Sequence, residues 1–173
     1  MAQPLVGIVM GSDSDLSIMQ GAANILDKFG IPYEVIISSA HRVPDQTAEY
    51  ARTAQQRGLK AIIAGAGLAA HLPGVLAAFT TLPVIGVPIK GGALAGVDAL
   101  YAIVQMPPGI PVATVAINGA KNAGILAAQM LAIANPEIQQ RLVAYKEEMA
   151  QQVQERDAEL KKLGIEGYLS EHK

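Results

Sequence analysis

The sequence has 173 residues, a formal net charge of −2 and no cysteine. This length suits one domain with a substantial core and is too short for two, and the missing cysteine excludes disulfides, thiolate metal sites and a cysteine nucleophile. The sequence has no basic stripe interleaved with aromatic residues, no basic leader and no long apolar segment, which argues against nucleic acid and membrane as partners. We therefore expect a soluble, cytoplasmic protein.

Charge is unevenly distributed along the chain. Residues 61–135 contain only three charged side chains, whereas residues 1–60 contain 11 and residues 136–173 contain 14. A solvated surface carries about a quarter to a third charged residues, so the middle of the chain cannot supply the exterior of an ordinary monomer. A buried sheet would explain uncharged strands, but not the equally uncharged helical segments between them. We therefore expect a homo-oligomer.

The first unit is a predicted strand, turn and helix. Residues 5–10 form an unbroken apolar run, typical of a parallel strand covered on both faces, and apolar residues recur at helical spacing over 16–29. The polar turn between them, residues 11–15, has two interpretations. Ser12 and Asp15 form a helix-capping box, or the helix N-terminus binds a phosphate with Ser12 as a further donor. In the second case Asp15 accepts hydrogen bonds from sugar hydroxyls, because a carboxylate repels phosphate.

The second predicted strand, residues 32–37, leads into the segment Ser38–Pro44, where the candidate chemistry is concentrated. The segment combines His41 and Arg42 with two serine hydroxyls, immediately before a helix predicted over 44–58. Ligands bind at the carboxyl ends of the strands in α/β sheets. This position favours a ligand-facing His41 and Arg42 over the alternatives, which are a half-buried histidine bonded to the backbone and a surface ion pair.

The third predicted strand, residues 61–64, runs into a glycine- and alanine-rich loop over residues 65–74. This loop offers backbone amides and a tight wall against which a planar or very small ligand fits. We expect the imidazole of His71 to be buried, where it either hydrogen-bonds the loop backbone or faces the ligand. Gly65 and Gly67 lack the third glycine and the distant acid of a dinucleotide-binding motif, so we discount NAD and FAD.

The remaining core elements continue the alternation of strands and helices. The last of these predicted helices, residues 120–134, is apolar on nearly all sides, so it should be buried on nearly all sides. A glycine-rich loop at the end of the fourth strand is expected to close over the site. The predictions are strands at 83–88 and 111–116, helices at 75–79, 98–104 and 120–134, and the loop at 90–96.

A long helix follows, beginning at Asn135 and Pro136 by the N-cap and first-position preferences and ending at Gly164. Its apolar stripe covers about 28 residues, or roughly 42 Å, which exceeds the width of a small domain. We expect the helix to lie partly on a neighbouring subunit, and a solvated coiled-coil arm is the alternative. The prediction is one catalytic domain over 1–173, with an α/β core at 1–134 and a C-terminal helix and tail at 135–173.

Four short motifs stand in a fixed order at 11–15, 39–44, 65–74 and 103–107. In order and spacing they resemble the N5-carboxyaminoimidazole ribonucleotide mutase family of purine biosynthesis, the catalytic-subunit type of phosphoribosylaminoimidazole carboxylase. The resemblance covers residues 5–134, and four motifs in register are far more specific than any one of them. It implies a flavodoxin-like, three-layer α/β/α fold with a parallel sheet of about five strands, an octamer, and sites shared between subunits.

The resemblance also implies roles for individual residues, with no metal and no organic cofactor. Ser12, Ser39 and Arg42 resemble the 5′-phosphate site, Asp15 the acceptor for the ribose hydroxyls, and His41 the catalytic acid and base. The segment 65–67 and His71 resemble the wall near the substrate carboxylate. The further residues implied to bind substrate are therefore Ala40, Gly65, Ala66, Gly67, Leu68 and His71.

The implied reaction moves a carboxylate from nitrogen to carbon. Our hypothesis is that the carbamate releases CO2 inside the site, that imidazole C4 captures it, and that His41 donates one proton and accepts another. The partners are then a ribonucleotide, CO2 and, functionally, the synthetase that forms the carbamate. Arg42, where direct carboxylases commonly have lysine, favours the mutase over direct carboxylation by CO2. Leu68 crowds the wall where the family usually has glycine, so a non-catalytic ribonucleotide-binding oligomer is a third alternative.

Overall fold

The computed structural model describes residues 3–172 and contains a five-stranded sheet in which every neighbouring pair is parallel. The order across the sheet is second, first, third, fourth and fifth strand, which is the flavodoxin-like order. The predicted fold class is therefore confirmed. The strands are β1 (Val6–Met10), β2 (Tyr33–Ile37), β3 (Ala61–Gly67), β4 (Val84–Ile89) and β5 (Ala113–Thr114).

Within residues 3–172, six α-helices on the two faces of the sheet complete three layers. They are α1 (Leu16–Lys28), α2 (Pro44–Ala54), α3 (Leu72–Phe79), α4 (Val97–Val104), α5 (Ala120–Ala132) and α6 (Pro136–Glu171). Helices α1, α5 and the first turns of α6 share one apolar cluster with the sheet, and α2, α3 and α4 share the other. Over residues 3–172, no helix is long and apolar enough to cross a membrane.

The apolar run of the first strand follows from its central place in the sheet. Val6, Ile8 and Met10 are buried in the cluster that contains α1 and α5, and Val9 is buried in the cluster that contains α2 and α3. Successive side chains of a strand point to opposite faces. A strand covered by helices on both faces must therefore be apolar at every position.

Small residues let α5 approach α1 closely. A Cβ atom at Gly124 would lie 3.0 Å from the carbonyl oxygen of Ala22, so a larger residue there would push the two helices apart. Within one chain, however, α5 is not buried all round as predicted. Ile125 and Leu126 are only partly buried, and Ile133, just beyond the helix, is 89% exposed.

Two strands differ in length from their predictions by more than one residue. The third strand continues beyond residue 64 because Gly65 and Gly67 still pair with β4, opposite Val87 and Ile89. Glycine and alanine have low strand propensity, so the sequence pattern predicted a loop there. The fifth strand is shorter than 111–116, because only two of its residues pair with β4 at the edge of the sheet.

The C-terminal helix α6 is interrupted at Gly164, where φ is 69° and ψ is 173°. The first helical segment ends there as predicted, but the second segment to Glu171 was not predicted. His172 Nε2 lies 3.2 Å from Glu159 Oε2. Thirteen residues along a straight helix would separate them by about 20 Å, so the tail folds back on the helix. The left-handed φ at Gly164 permits this reversal.

Candidate functional site

A cleft of about 710 Å³ opens at the carboxyl edge of the sheet. It lies at the point between β1 and β3 where the strand order reverses. The connections leave such a point in opposite directions, and the crevice between them is where open α/β sheets bind ligands. The structure brings together nine of the predicted site residues in its lining: Ser12, Asp15, Ser39, Ala40, His41, Arg42, Ala66, Gly67 and Leu68.

The guanidinium of Arg42 bridges two loops of the cleft. Its Nε donates to Ser39 Oγ at 3.3 Å, and its Nη2 donates to the carbonyl oxygen of Gly11 at 3.2 Å. The backbone N–H of Arg42 also donates to Ser39 Oγ at 3.3 Å. The cation is thereby held beside Ser12, with hydroxyl donors around it. This combination of a planar cation and hydroxyls suits a phosphate or carboxylate group.

The hydroxyls of Ser38 and Ser39 do not converge on one ligand as the sequence suggested. Ser38 is buried, and its Oγ lies 2.7 Å from Thr47 Oγ1. Thr47 Oγ1 itself donates to the carbonyl oxygen of Val43 at 3.1 Å, so Ser38 must be the donor of the pair. Ser38 therefore anchors the loop to α2, and only Ser39 faces the cleft.

The turn after β1 is a single 3-10 turn, Asp13–Asp15, followed directly by α1. Ser12 Oγ accepts from the backbone N–H of Ser14 at 3.3 Å and from Ser14 Oγ at 2.9 Å. Ser12 therefore caps the turn, and its backbone N–H bonds to the Asp15 carboxyl group as in a capping box, which by itself lowers the pKa of that group. Ser14 Oγ lies 3.4 Å from the same carboxyl group. A carboxylate has two oxygens with about four acceptor sites, so Asp15 can also accept hydrogen bonds from a ligand.

The carboxyl group of Asp15 is partly withdrawn from water at the floor of the cleft. Burial raises its pKa above the ordinary aspartate range; the hydrogen bond from Ser14 opposes this shift, and the neighbouring charge of Asp13 adds to it. A carboxylate that has lost part of its hydration gains more from accepting hydrogen bonds from ligand hydroxyls.

The two histidines of the site are hydrogen-bonded to each other. His41 Nε2 lies 2.8 Å from His71 Nδ1, with ring centroids 4.9 Å apart and ring planes at 76°. His71 is exposed rather than buried, so that prediction is wrong, and it sits immediately before α3. Only one proton fits between the two nitrogens, and the pair can therefore share it.

Gly65 is a packing residue and does not line the cleft. A Cβ atom at Gly65 would collide with Met19 of α1, so the missing side chain makes room for the helix that covers β3. The cleft wall is formed by the next two residues, Ala66 and Gly67, at the end of the strand. The predicted wall is therefore present but begins one residue later, and it is a strand end rather than a loop.

Leu68 follows β3 in a left-handed conformation, with φ of 53°. Its side chain is 56% exposed at the cleft, and it lies over the glycines of the next loop. Its Cδ2 atom is 2.5 Å from the position that a Cβ atom at Gly92 would take. The Leu68 side chain, which was predicted to crowd the wall, therefore packs toward this neighbouring loop.

Sequence reasoning missed two polar residues on the far side of the cleft. Lys90 and Asn118 both line it, and Asn118 Oδ1 accepts from the backbone N–H of Lys90 at 2.8 Å. The available signal was their position after the fourth and fifth predicted strands, at the same edge of the sheet as His41. Lys90 adds a second cation to the cleft that already contains Arg42.

Metal-ligating side chains do not cluster in the described part of the chain. Over residues 3–172, no group of three or more histidine, cysteine, aspartate or glutamate side chains could hold a metal ion. The two histidines of the cleft instead bond to each other.

The comparisons with known proteins all indicate the same family. Residues 5–152 match the AIR carboxylase family. The N5-carboxyaminoimidazole ribonucleotide mutase of Pyrococcus horikoshii is 59% identical over 169 residues, which cover 98% of this chain and 96% of that protein. The phosphoribosylaminoimidazole carboxylase of Schizosaccharomyces pombe is 58% identical over 95% of this chain but only 30% of its own length. The crystal structure of Treponema denticola PurE has a TM-score of 0.83 and 34% identity, covering 91% of this chain and 99% of that one.

Proposed function

The chain belongs to the AIR carboxylase family, and on that premise we propose that it converts N5-carboxyaminoimidazole ribonucleotide into 4-carboxy-5-aminoimidazole ribonucleotide in de novo purine biosynthesis. The chain is thus an isomerase that needs no ATP. The proposal is carried by one observation: the Arg42–Ser39 pair, Asp15 and His41, which is bonded to His71, lie at one switch-point cleft. A ribonucleotide presents a phosphate, sugar hydroxyls and a reacting ring, and the cleft offers a group suited to each.

Substrate binding follows the polarity of the cleft. The 5′-phosphate accepts hydrogen bonds from Arg42, Ser39 and Ser12, and Arg42 is already oriented by its bonds to Ser39 and Gly11. Asp15 accepts hydrogen bonds from the ribose hydroxyls. These contacts are remote from the reacting atoms, so their binding energy serves to hold the aminoimidazole ring at the wall of Ala66 and adjacent residues.

The chemistry requires one group that gives a proton and takes one back. The bond between N5 and the carboxylate carbon breaks, its electrons stay on nitrogen, and nitrogen takes a proton from His41 while CO2 is released. Ring carbon C4 then attacks the CO2, and the proton leaving C4 returns to His41. The two transfers are opposite in sense, so His41 ends in its starting protonation state.

His71 positions the catalytic imidazole. Its Nδ1 lies 2.8 Å from His41 Nε2, so the bond between them fixes the ring orientation of His41, with one proton between the two nitrogens. An imidazole held in this way loses little rotational freedom when substrate binds. We assign His71 this positioning role rather than direct contact with the substrate carboxylate.

Direct carboxylation of aminoimidazole ribonucleotide by CO2 is the second candidate, because the similar Schizosaccharomyces pombe protein is named phosphoribosylaminoimidazole carboxylase. The test supplies the purified chain with the carbamate alone, without ATP, and in parallel with aminoimidazole ribonucleotide and labelled bicarbonate. We expect rapid formation of the C-carboxylate from the carbamate. Efficient use of bicarbonate with no acceleration from the carbamate would identify the carboxylase, and binding without turnover would identify a non-catalytic protein. The carbamate substrate links the chain functionally to the synthetase that forms it.

Replacing Asp15 with asparagine should weaken substrate binding and raise the stability of the folded protein. The variant keeps one oxygen acceptor but replaces the other with an NH2 donor and loses the negative charge. We expect kcat/KM to fall by about 10- to 100-fold, the range for hydrogen bonds to a charged group. Because the folded-state pKa of Asp15 is raised, ionising it costs stability as pH rises through the folded pKa. The melting temperature of the variant should therefore exceed that of the original protein at pH 7, and the difference should vanish near pH 3. An equal difference at both pH values would contradict the assigned cause.

Exposed apolar side chains support the proposal of a homo-oligomer. On α4, Val97, Tyr101 and Val104 are spaced along one side of the helix and are 43%, 59% and 50% exposed. On α6, Ile138, Leu142 and Tyr145 are buried against the chain's own core, whereas Val153 is 65% exposed. Such apolar area is typical of subunit interfaces. We propose that α6 beyond Tyr145 packs on a neighbouring subunit and that the assembly is the octamer implied by the family resemblance.

The substitution Tyr101→Glu should shift the assembly toward smaller species. A carboxylate buried at a subunit interface without a partner is strongly unfavourable, whereas the same charge change at an exposed polar position is not. The control is Gln56→Glu, at an exposed position after α2. Mass measurement by light scattering after gel filtration should give a reduced mass for Tyr101→Glu only. Equal masses for both variants would place α4 outside the interface.

A further inference from the structure

The β3–α3 and β4–α4 loops meet at the cleft wall. Gly67 at the end of β3 pairs with Ile89 at the end of β4, so the two chain segments leave the sheet side by side. Leu68 is the first residue of one segment, and Lys90 is the first residue of the other. All four residues line the cleft. Any gap between the two segments would therefore open the cleft wall beside the reacting end of the substrate.

Leu68 closes that gap in an unfavourable backbone conformation. Its φ of 53° is uncommon for a leucine, because the side chain then crowds its own backbone. Strain of this kind persists where the surrounding structure requires it, and it concentrates at functional sites. The side chain lies 56% exposed over the cleft and the next loop, so burial in a core does not account for it.

The missing side chain of Gly92 leaves the space that the Leu68 side chain occupies. Leu68 Cδ2 lies 2.5 Å from the position of a Cβ atom at Gly92 and 4.0 Å from that position at Gly91. A side chain at residue 92 would therefore force the Leu68 side chain out of its observed position. The leucine side chain of one loop therefore packs over the two glycines of the other loop at the cleft wall.

We infer that Leu68, packed over Gly92, seals the cleft wall and retains the CO2 released from the substrate until the ring carbon captures it. This inference rests on the proposed function. CO2 is small, apolar and uncharged, so an aliphatic side chain suits it, and a glycine surface bounded by water would let it escape. The step itself is the one already balanced, with the carboxyl carbon released from nitrogen and bonded to carbon. Leu68 affects only whether that same CO2 molecule is used.

The test measures exchange of CO2 with solvent. The protein converts unlabelled carbamate in buffer with 13C-bicarbonate and carbonic anhydrase, and 13C in the C-carboxylated product is measured at early conversion against an enzyme-free control. Leu68→Gly should raise the labelled fraction about fourfold, the change for losing one methylene-sized apolar contact. Leu68→Met, which keeps the apolar bulk, should match the original protein, and Leu68→Ala should lie between. Gly92→Asn, which tolerates positive φ, should displace Leu68 and also raise exchange.

The outcomes separate this inference from the proposed function. If the original protein does not convert the carbamate, the proposed function fails. If it does, and the labelled fraction is the same for glycine, alanine, methionine and leucine at residue 68, the sealing role is wrong. If Leu68→Gly no longer consumes the carbamate although it still binds substrate, the sealing role is also contradicted, because a leak of CO2 leaves the release step and the proton transfers of His41 in place. A changed molecular mass for Leu68→Gly would assign the side chain to a subunit interface instead.

Discussion

Replacing His41 with asparagine should lower kcat by about 10²- to 10⁴-fold, the range supplied by a positioned acid and base. Asparagine retains a polar side chain of similar length but cannot give a proton and take it back at neutral pH. The phosphate and ribose contacts of Arg42 and Asp15 do not pass through this residue, so substrate affinity should remain nearly unchanged. Calorimetric binding of a non-reactive substrate analogue and single-turnover conversion of the carbamate measure the two quantities separately.

The matched control is His71→Asn, which removes the bonded partner of His41 without removing the proposed acid and base. We expect a smaller loss of kcat, about 10- to 100-fold, because the imidazole of His41 loses its fixed orientation but keeps its chemistry. A positioning role also predicts that the pH dependence of kcat changes in this variant, since the shared proton between the rings is lost. If His71→Asn is the more damaging substitution, the two roles are reversed.

The fold was predictable because its signals are local and repeated. The apolar run at β1 and the helical spacing in α1 each identify an element by its own period. Alternation of these elements then indicates a parallel sheet with helices on both faces. The carboxyl edge of such a sheet collects the residues after each strand, and the family resemblance then grouped Ser12 with Ser39 and His41 in one predicted site.

The side chains of the site were less predictable because their directions depend on packing. Ser38 and Ser39 are adjacent in sequence, yet one is buried against Thr47 and the other faces the cleft. Gly65 and Gly67 belong to the same motif, yet Met19 occupies the space above Gly65 alone. Gly65 and Gly67 are two residues apart and share a face of β3, so the difference arises because α1 covers only the earlier position.

Contacts between residues that are far apart in the chain produce no periodic pattern in the sequence. The bond between His41 and His71 spans 30 positions, and its geometry depends on how α3 begins after β3. The contact of Leu68 with Gly92 depends on a left-handed φ at both residues. The family resemblance could identify Leu68 as unusual, but only the packed loops indicate what its side chain touches.

Replacing Arg42 with alanine should reduce kcat/KM by about 100-fold, mainly through KM, because charge-assisted hydrogen bonds to phosphate are lost. Arg42→Lys should recover only part of this loss. Lysine keeps the charge but cannot donate to Ser39 Oγ and to the carbonyl oxygen of Gly11 from one rigid plane. Steady-state kinetics on the carbamate substrate measure both variants, and Arg52→Ala serves as the control because Arg52 stacks on Phe79 in α3 and does not line the cleft.

A substrate without the phosphate tests whether Arg42 acts specifically on that group. The dephosphorylated substrate lacks the group that Arg42 is proposed to bind, so it should be a poor substrate for the original protein and no poorer for Arg42→Ala. The two changes would then fail to add, as expected when each removes the same interaction. If Arg42→Ala still lowers kcat/KM about 100-fold with the dephosphorylated substrate, the guanidinium acts on the reacting end instead. The loss should then appear in kcat, because only contacts that strengthen at the reacting atoms change the rate of the bound complex.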